Sequence, residues 1–95
     1  MRLILYSKPG CHLCEGLQEK LEQIQNLSFK LEIRDITTRE DWFAAYQYEV
    51  PILCLSNHRG AEGTEEEIIE ALLPRPSPRA SVQQLEQMLR KYLPN

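Results

Sequence analysis

A short apolar run, Leu3-Ile4-Leu5-Tyr6, is followed by the turn residues Pro9-Gly10 and then at once by Cys11-His12-Leu13-Cys14. That order constrains the chain more than any other feature. A strand that feeds a Cys-x-x-Cys opening a helix places one sulfur at an exposed helix N-terminus and the second one turn further in. This is the arrangement for reversible thiol–disulfide chemistry. With 95 residues, the chain is expected to form a single domain, residues 1–95, whose core needs no disulfide staples.

Composition narrows the function classes. The chain is 42% hydrophobic and 26% charged, which places it with globular rather than disordered sequences. Its net charge of −3, with no basic stripe interleaved with aromatics, argues against nucleic-acid binding. The N-terminal apolar run breaks at Ser7-Lys8-Pro9-Gly10, too short for a signal-peptide core, and no stretch approaches the length of a membrane span. A cytoplasmic location is expected, with no membrane partner. In a reducing compartment a close cysteine pair serves catalysis or metal binding rather than permanent stapling. The third cysteine, Cys54, lies inside Pro51-Ile52-Leu53-Cys54-Leu55 and reads as a small buried hydrophobe; exposed, it would offer an intermolecular bridge.

Along the chain, residues 2–6 read as a buried strand. Leu13, Leu17, Leu21 and Ile24 recur at spacings of four, four and three and predict a helix stopping near Asn26, with glutamates and glutamines on its solvent face. Residues 28–34 alternate, Phe29, Leu31 and Ile33 against Lys30, Glu32 and Arg34, as a half-buried strand does. Thr37 with Glu40 forms a capping-box pattern ahead of a short helix through Trp42, Phe43 and Tyr46, whose aromatic spacing reads as core. That helix must end before Val50-Pro51, and Pro51–Leu55 reads as the third strand. Ser56-Asn57-His58-Arg59-Gly60 reads as a turn or loop. Residues 64–73 are ambiguous: Thr64 with Glu67 suggests a helix cap, whereas the alternation of Ile68, Glu70 and Leu72 with Ile69, Ala71 and Leu73 suggests a strand. Pro74-Arg75-Pro76-Ser77-Pro78 is an extended connector. Ser81 with Gln84 caps a last helix that buries Val82, Leu85, Leu89, Tyr92 and Leu93.

Cys11 sits where unsatisfied N–H groups and the helix dipole favour an anion. Lys8, three residues before it, and a protonated His12 act in the same direction, and Glu15 acts in the opposite one. Cys14 at i+3 shares the helix face of Cys11, so a tightened first turn brings the sulfurs to bonding distance. In this reading Cys11 attacks a substrate disulfide, and Cys14, beside Leu17 and less exposed, resolves the mixed disulfide. Two alternatives stay open. The pair could supply two zinc ligands, completed by His12, Cys54 or His58, although no second Cys-x-x-Cys or His-x-x-x-His is present. Or both cysteines could simply be buried.

Ser7-Lys8-Pro9-Gly10-Cys11-His12-Leu13-Cys14 together with Val50-Pro51 resembles the glutaredoxin branch of the thioredoxin-like superfamily, and more narrowly the small glutaredoxin-like proteins of bacteria. The resemblance spans most of the chain in element order. It implies an α/β domain of thioredoxin-like, glutaredoxin-type fold: a four-stranded mixed sheet flanked by three helices. It resolves residues 66–73 as a strand antiparallel to the third. It implies a cis bond before Pro51, with Pro51 facing the cysteines, and Val50 offering backbone N–H and C=O to an extended substrate. It also implies that Lys8 helps bind a glutathione carboxylate. The Gly-Gly and Asp that hold the other end of glutathione are replaced here by Leu73-Pro74-Arg75-Pro76-Ser77-Pro78-Arg79, leaving Arg75, Arg79 or Ser81 as carboxylate partners. The expected activity is that of a monomeric thiol–disulfide oxidoreductase acting on protein disulfides or glutathione mixed disulfides. Cys11 and Cys14 are its catalytic residues, and Lys8, His12, Val50 and Pro51 its substrate-binding residues. No bound metal and no tightly bound cofactor are expected. The alternative is a non-catalytic protein-binding or zinc-binding module of the same fold.

Overall fold

The computed structural model describes residues 2–59 and 67–92. Four strands, β1 (Arg2–Ser7), β2 (Lys30–Asp35), β3 (Ile52–Arg59) and β4 (Glu67–Leu72), form one mixed sheet in the order β2-β1-β3-β4. β1 is parallel to β2 and antiparallel to β3, and β4 is antiparallel to β3. Three helices flank the sheet: α1 (His12–Glu22), α2 (Glu40–Tyr46) and α3 (Val82–Arg90). This is the thioredoxin-like architecture that the cysteine motif and Val50-Pro51 imply.

Alternation along the two central strands sorts the core into two clusters. Leu3 and Leu5 of β1 and Leu53 and Leu55 of β3 point to one face, where they pack with Leu17 and Leu21 of α1 and Leu85 and Leu89 of α3. Ile4, Tyr6 and Cys54 point to the other face and pack with Ile36, Trp42 and Tyr46. Leu3, Ile4 and Leu5 are each 0% exposed, as expected for a strand covered on both faces.

Several element boundaries differ from the sequence expectations for identifiable reasons. α1 buries Cys14, Leu17 and Leu21, with Ile24 just past its end, while Leu13 is 55% exposed. The buried stripe therefore runs through Cys14, one residue on from Leu13. β3 does not stop at Leu55 but continues through Ser56–Arg59, because β4 pairs with it from Cys54↔Leu72 to Arg59↔Glu67. The strand reading of residues 66–73 holds over Glu67–Leu72; Thr64 and Gly60 lie outside the described residues. In β2 the alternation is blurred. Ile33 is exposed and Arg34 is half-buried, since β2 is an edge strand and Arg34 is covered from the α2 side.

The Thr37–Glu40 capping box does not form. Asp35 instead accepts the Thr37 N–H at 2.9 Å and its hydroxyl at 2.7 Å, drawing Ile36–Thr38 into a 3₁₀ turn. α2 then starts after Arg39 with no side-chain cap. The Thr37 hydroxyl and N–H bonds hold the exposed Asp35 carboxyl below the usual carboxylate range. The support this turn derives from the charged carboxylate is therefore present at neutral pH and is lost as pH falls through that lowered value. At α3 the expected capping box is complete: Ser81 accepts the Gln84 N–H at 3.1 Å, and Gln84 accepts the Ser81 N–H at 2.9 Å. Of its predicted apolar face, Leu85 and Leu89 are buried and Val82 packs partly, whereas Tyr92 is 41% exposed and Leu93 lies outside the described residues.

Leu89 is 0% exposed and Leu13 faces outward. Urea denaturation is expected to show Leu89→Ala costing about 2–5 kcal/mol and Leu13→Ala about 0.5 kcal/mol or less. Comparable losses from the two would mean that α1 is rotated from the face described.

Candidate active site

The site begins where β1 ends. Beyond Ser7 the chain turns sharply, with the Cys11 N–H donating to the Lys8 carbonyl at 3.3 Å. Gly10 adopts φ +76°, a conformation that side chains disfavour, so glycine is required at this turn. Cys11 is in extended conformation and caps α1: its Sγ accepts the Cys14 N–H at 3.2 Å, and its carbonyl accepts the Glu15 N–H at 3.1 Å. Cys11 and Cys14 form a disulfide across a Cα–Cα distance of 5.2 Å. Cys11 is half-buried, whereas Cys14 is 2% exposed beneath it.

The second part of the site comes from residues 47–51. The Val50–Pro51 peptide is cis, and Pro51 is buried just before β3. Pro51 lines one groove with His12 and Leu13, the two residues between the cysteines. Two hydrogen bonds hold this segment. The Val50 N–H donates to the Tyr46 carbonyl at 3.1 Å, and the Lys8 ammonium donates to the Gln47 carbonyl at 2.9 Å. A cation at the C-terminal end of α2 also complements that helix's dipole. These bonds place the two residues within the chain. The Val50 N–H is taken up within the chain, so Val50 presents its carbonyl and not both backbone groups. Lys8 is a strut between the cysteine turn and the end of α2. His12 projects into solvent with its side chain 95% exposed, and Nδ1 lies 3.7 Å from the Glu15 carboxylate, an ion pair only when the ring is protonated.

Cys54 is 6% exposed, on the α2 side of the sheet, where it lines a groove with Tyr6, Tyr46 and Glu70. Burial first, and then the Glu70 carboxylate, push its thiol above the ordinary range against the pull of Arg34. Such a position excludes it as an exposed bridging thiol. Among the described residues no group of three or more His, Cys, Asp or Glu is arranged to hold a metal ion.

Nearby, Arg34 forms a polar cluster that sequence reasoning did not single out. It donates to the Tyr6 hydroxyl at 2.8 Å and to Glu70 at 3.2 Å, bonds Glu32, and lies 5.4 Å from the Trp42 ring centroid. Burial opposes its charge, but the bonds to Glu32, Tyr6 and Glu70 outweigh it and strengthen its hold on the proton. Of the three aromatics read as core, Trp42 and Tyr46 pack on Tyr6, with ring centroids 5.6 and 4.8 Å away, while Phe43 is exposed. The pairing of β1 with β2 and β3, and of β3 with β4, brings Tyr6, Arg34 and Glu70 together, and no local sequence signal marks them.

Residues 2–90 match the family model of the glutaredoxin-like domain (DUF836). The chain belongs to this glutaredoxin-like family. No curated protein and no solved structure matches it. The family match covers both halves of the site, the cysteine turn and Val50-Pro51, and also the proline-rich segment after β4.

The burial of Cys54 makes a testable distinction. Because its thiol holds its proton above the ordinary range, it has less thiolate at neutral pH than a free cysteine near pKa ~8.5. Iodoacetamide applied to the reduced native protein at pH 7 is expected to label Cys54 at least about tenfold more slowly than in the urea-unfolded chain. Mass mapping of the adducts checks this; equal rates would show an open thiol.

Proposed function

We propose that this protein is a thiol–disulfide oxidoreductase in which Cys11 is the nucleophile and Cys14 the resolving thiol. The observation that supports it most directly is the asymmetry of the pair. Cys11, half-buried, caps α1 with a sulfur that accepts the Cys14 N–H, and Cys14 is buried at bonding distance behind it. In the reduced protein, the same N–H and the positive end of the α1 dipole stabilise a negative Cys11 sulfur.

The Cys11 thiolate attacks one sulfur of a substrate disulfide. A Cys11–substrate bond forms, the substrate S–S bond breaks, and the departing thiolate takes a proton from water. Cys14 then loses its proton and attacks Cys11 Sγ. The intramolecular disulfide forms and the second substrate thiolate leaves. Two electrons pass from the protein dithiol to the substrate, and a thiol reductant returns them for the next turnover. Pro51, after its cis bond to Val50, shares a groove with His12 and Leu13, the residues between the cysteines, and in this reading Val50 offers its carbonyl to substrate backbone. No bound cofactor or metal enters this cycle, in which glutathione or a protein dithiol is a co-substrate. Its working form is a cytoplasmic monomer, a compartment where such a pair is returned to the dithiol. Among the described residues no helix is long and apolar enough to cross a membrane.

The test is a titration of the purified protein in glutathione redox buffers, read by thiol alkylation and mass. A reversible two-electron transition is expected. Cys11→Ser should reduce exchange to background, whereas Cys14→Ser should trap a mixed disulfide on Cys11. A pair that stays reduced in every buffer, or alkylates only after a chelator is added, would replace this reading with the zinc or binding-module alternative.

A further inference from the structure

His12 and Leu13, the residues between the cysteines, line a groove of about 140 Å³. One wall is α1, contributing Leu13 and Leu17. The facing wall is the segment after β4, contributing Pro76 and Pro78, and Pro51 belongs to the same lining. The Lys20 ammonium spans the two walls, donating to the Pro78 carbonyl at 2.9 Å, so the proline segment is held against α1. Apolar cavities of ~150 Å³ hold a benzene-sized group, so this groove has room for one aliphatic or aromatic side chain. Its charged lining residues, Lys20 and Arg75, are both cationic, and among the described residues no acidic one lines it. That local sign is opposite to the chain's net charge of −3.

Glutathione fits this surface poorly. It has no apolar side chain to place between Leu13, Leu17 and the prolines. Its amide carbonyls need backbone N–H donors, and Pro74, Pro76 and Pro78 have none to offer. The Val50 N–H is already donated to Tyr46, and one of the three Lys8 ammonium hydrogens to Gln47. An apolar side chain of a polypeptide with an acidic neighbour satisfies both the shape and the charge of the groove.

We propose that this groove seats an apolar side chain next to the reacting cysteine of a polypeptide substrate, with an acidic residue beside it. Protein disulfides rather than glutathione disulfide are then the preferred substrates of Cys11. The proposal rests on the dithiol-exchange reading above. In the seated complex the substrate cysteine lies over Cys11, its apolar neighbour lies between Leu13 and Pro76, and its acidic neighbour meets Arg75.

Exchange rates of the reduced full-length protein test this directly. The probes are symmetric disulfides of the capped peptides Glu-Leu-Cys-Gly, Glu-Gly-Cys-Gly and Lys-Leu-Cys-Gly, alongside oxidised glutathione, with bis(2-hydroxyethyl) disulfide as the reference. The Glu-Leu peptide is expected to react at least about tenfold faster than the Glu-Gly peptide and than glutathione disulfide. It should also outpace the Lys-Leu peptide by about threefold, a margin that shrinks at high salt. Gly16 lines the groove, and a Cβ there meets nothing within 4 Å. Gly16→Leu therefore fills the groove without a backbone clash and should bring the Leu-to-Gly ratio towards one, while Arg75→Glu should reverse the charge preference. Equal rates for the Glu-Leu and Glu-Gly peptides in the wild type, or a faster reaction with glutathione, would overturn the proposal and leave dithiol exchange standing. If even bis(2-hydroxyethyl) disulfide fails to react, the exchange reading falls and this proposal falls with it.

Discussion

Strand β1 is paired on both edges and packed on both faces. Leu3 and Leu5 belong to one cluster, Ile4 and Tyr6 to the other, and β2 and β3 bond its two sides. Shifting its register by one residue would exchange the two clusters and break both ladders together. The end of β1 is thus as rigid a platform as so small a protein can provide, and the cysteine turn begins there. Gly10, the extended Cys11 and the first turn of α1 inherit that position. The sulfur of Cys11 is held at the helix N-terminus by backbone geometry, by the Cys14 N–H and by its bond to the Cys14 sulfur.

The opposite side of the site is tied down by two hydrogen bonds. Lys8 reaches from the cysteine turn to the Gln47 carbonyl, and the Val50 N–H returns to the Tyr46 carbonyl. Both tie the end of α2, so Pro51 enters β3 at a defined place beside His12 and Leu13. The Tyr46 bond also takes up the Val50 N–H. The same contacts assemble the groove proposed to seat a substrate side chain. The Lys20–Pro78 bond does this on the other wall, turning a connector into part of the site.

Much of this was legible in the residues themselves, because the signals were local. The Pro-Gly turn before Cys11, the i+3 spacing of the cysteines, and the Ser81–Gln84 capping box each depend on atoms only a few residues apart. They appear in the structure as read. The readings that shifted depended on partners distant in sequence. Ser56–Arg59 has the composition of a loop but is strand, because β4 lies alongside to pair with it. Leu13 fits the helical apolar spacing yet is exposed, because the sheet meets α1 along the Cys14–Leu17–Leu21 stripe. Thr37 was a plausible cap until Asp35 reached it first.

The sequence by itself determined the chemistry: a dithiol at a helix N-terminus, a strand ahead of it, and a proline-led strand to complete the sheet. Those features are written in residue type and short spacing, and steric and hydrogen-bonding rules act on them directly. Tertiary structure alone decided the surroundings of the sulfurs. It turned Lys8 into a strut, sealed Cys54 against the sheet, gathered Arg34, Tyr6 and Glu70 into one cluster, and folded the proline segment against α1. Each of these depends on which faces meet once the two central strands are buried, a question of long-range packing on which residue identity and local spacing are silent.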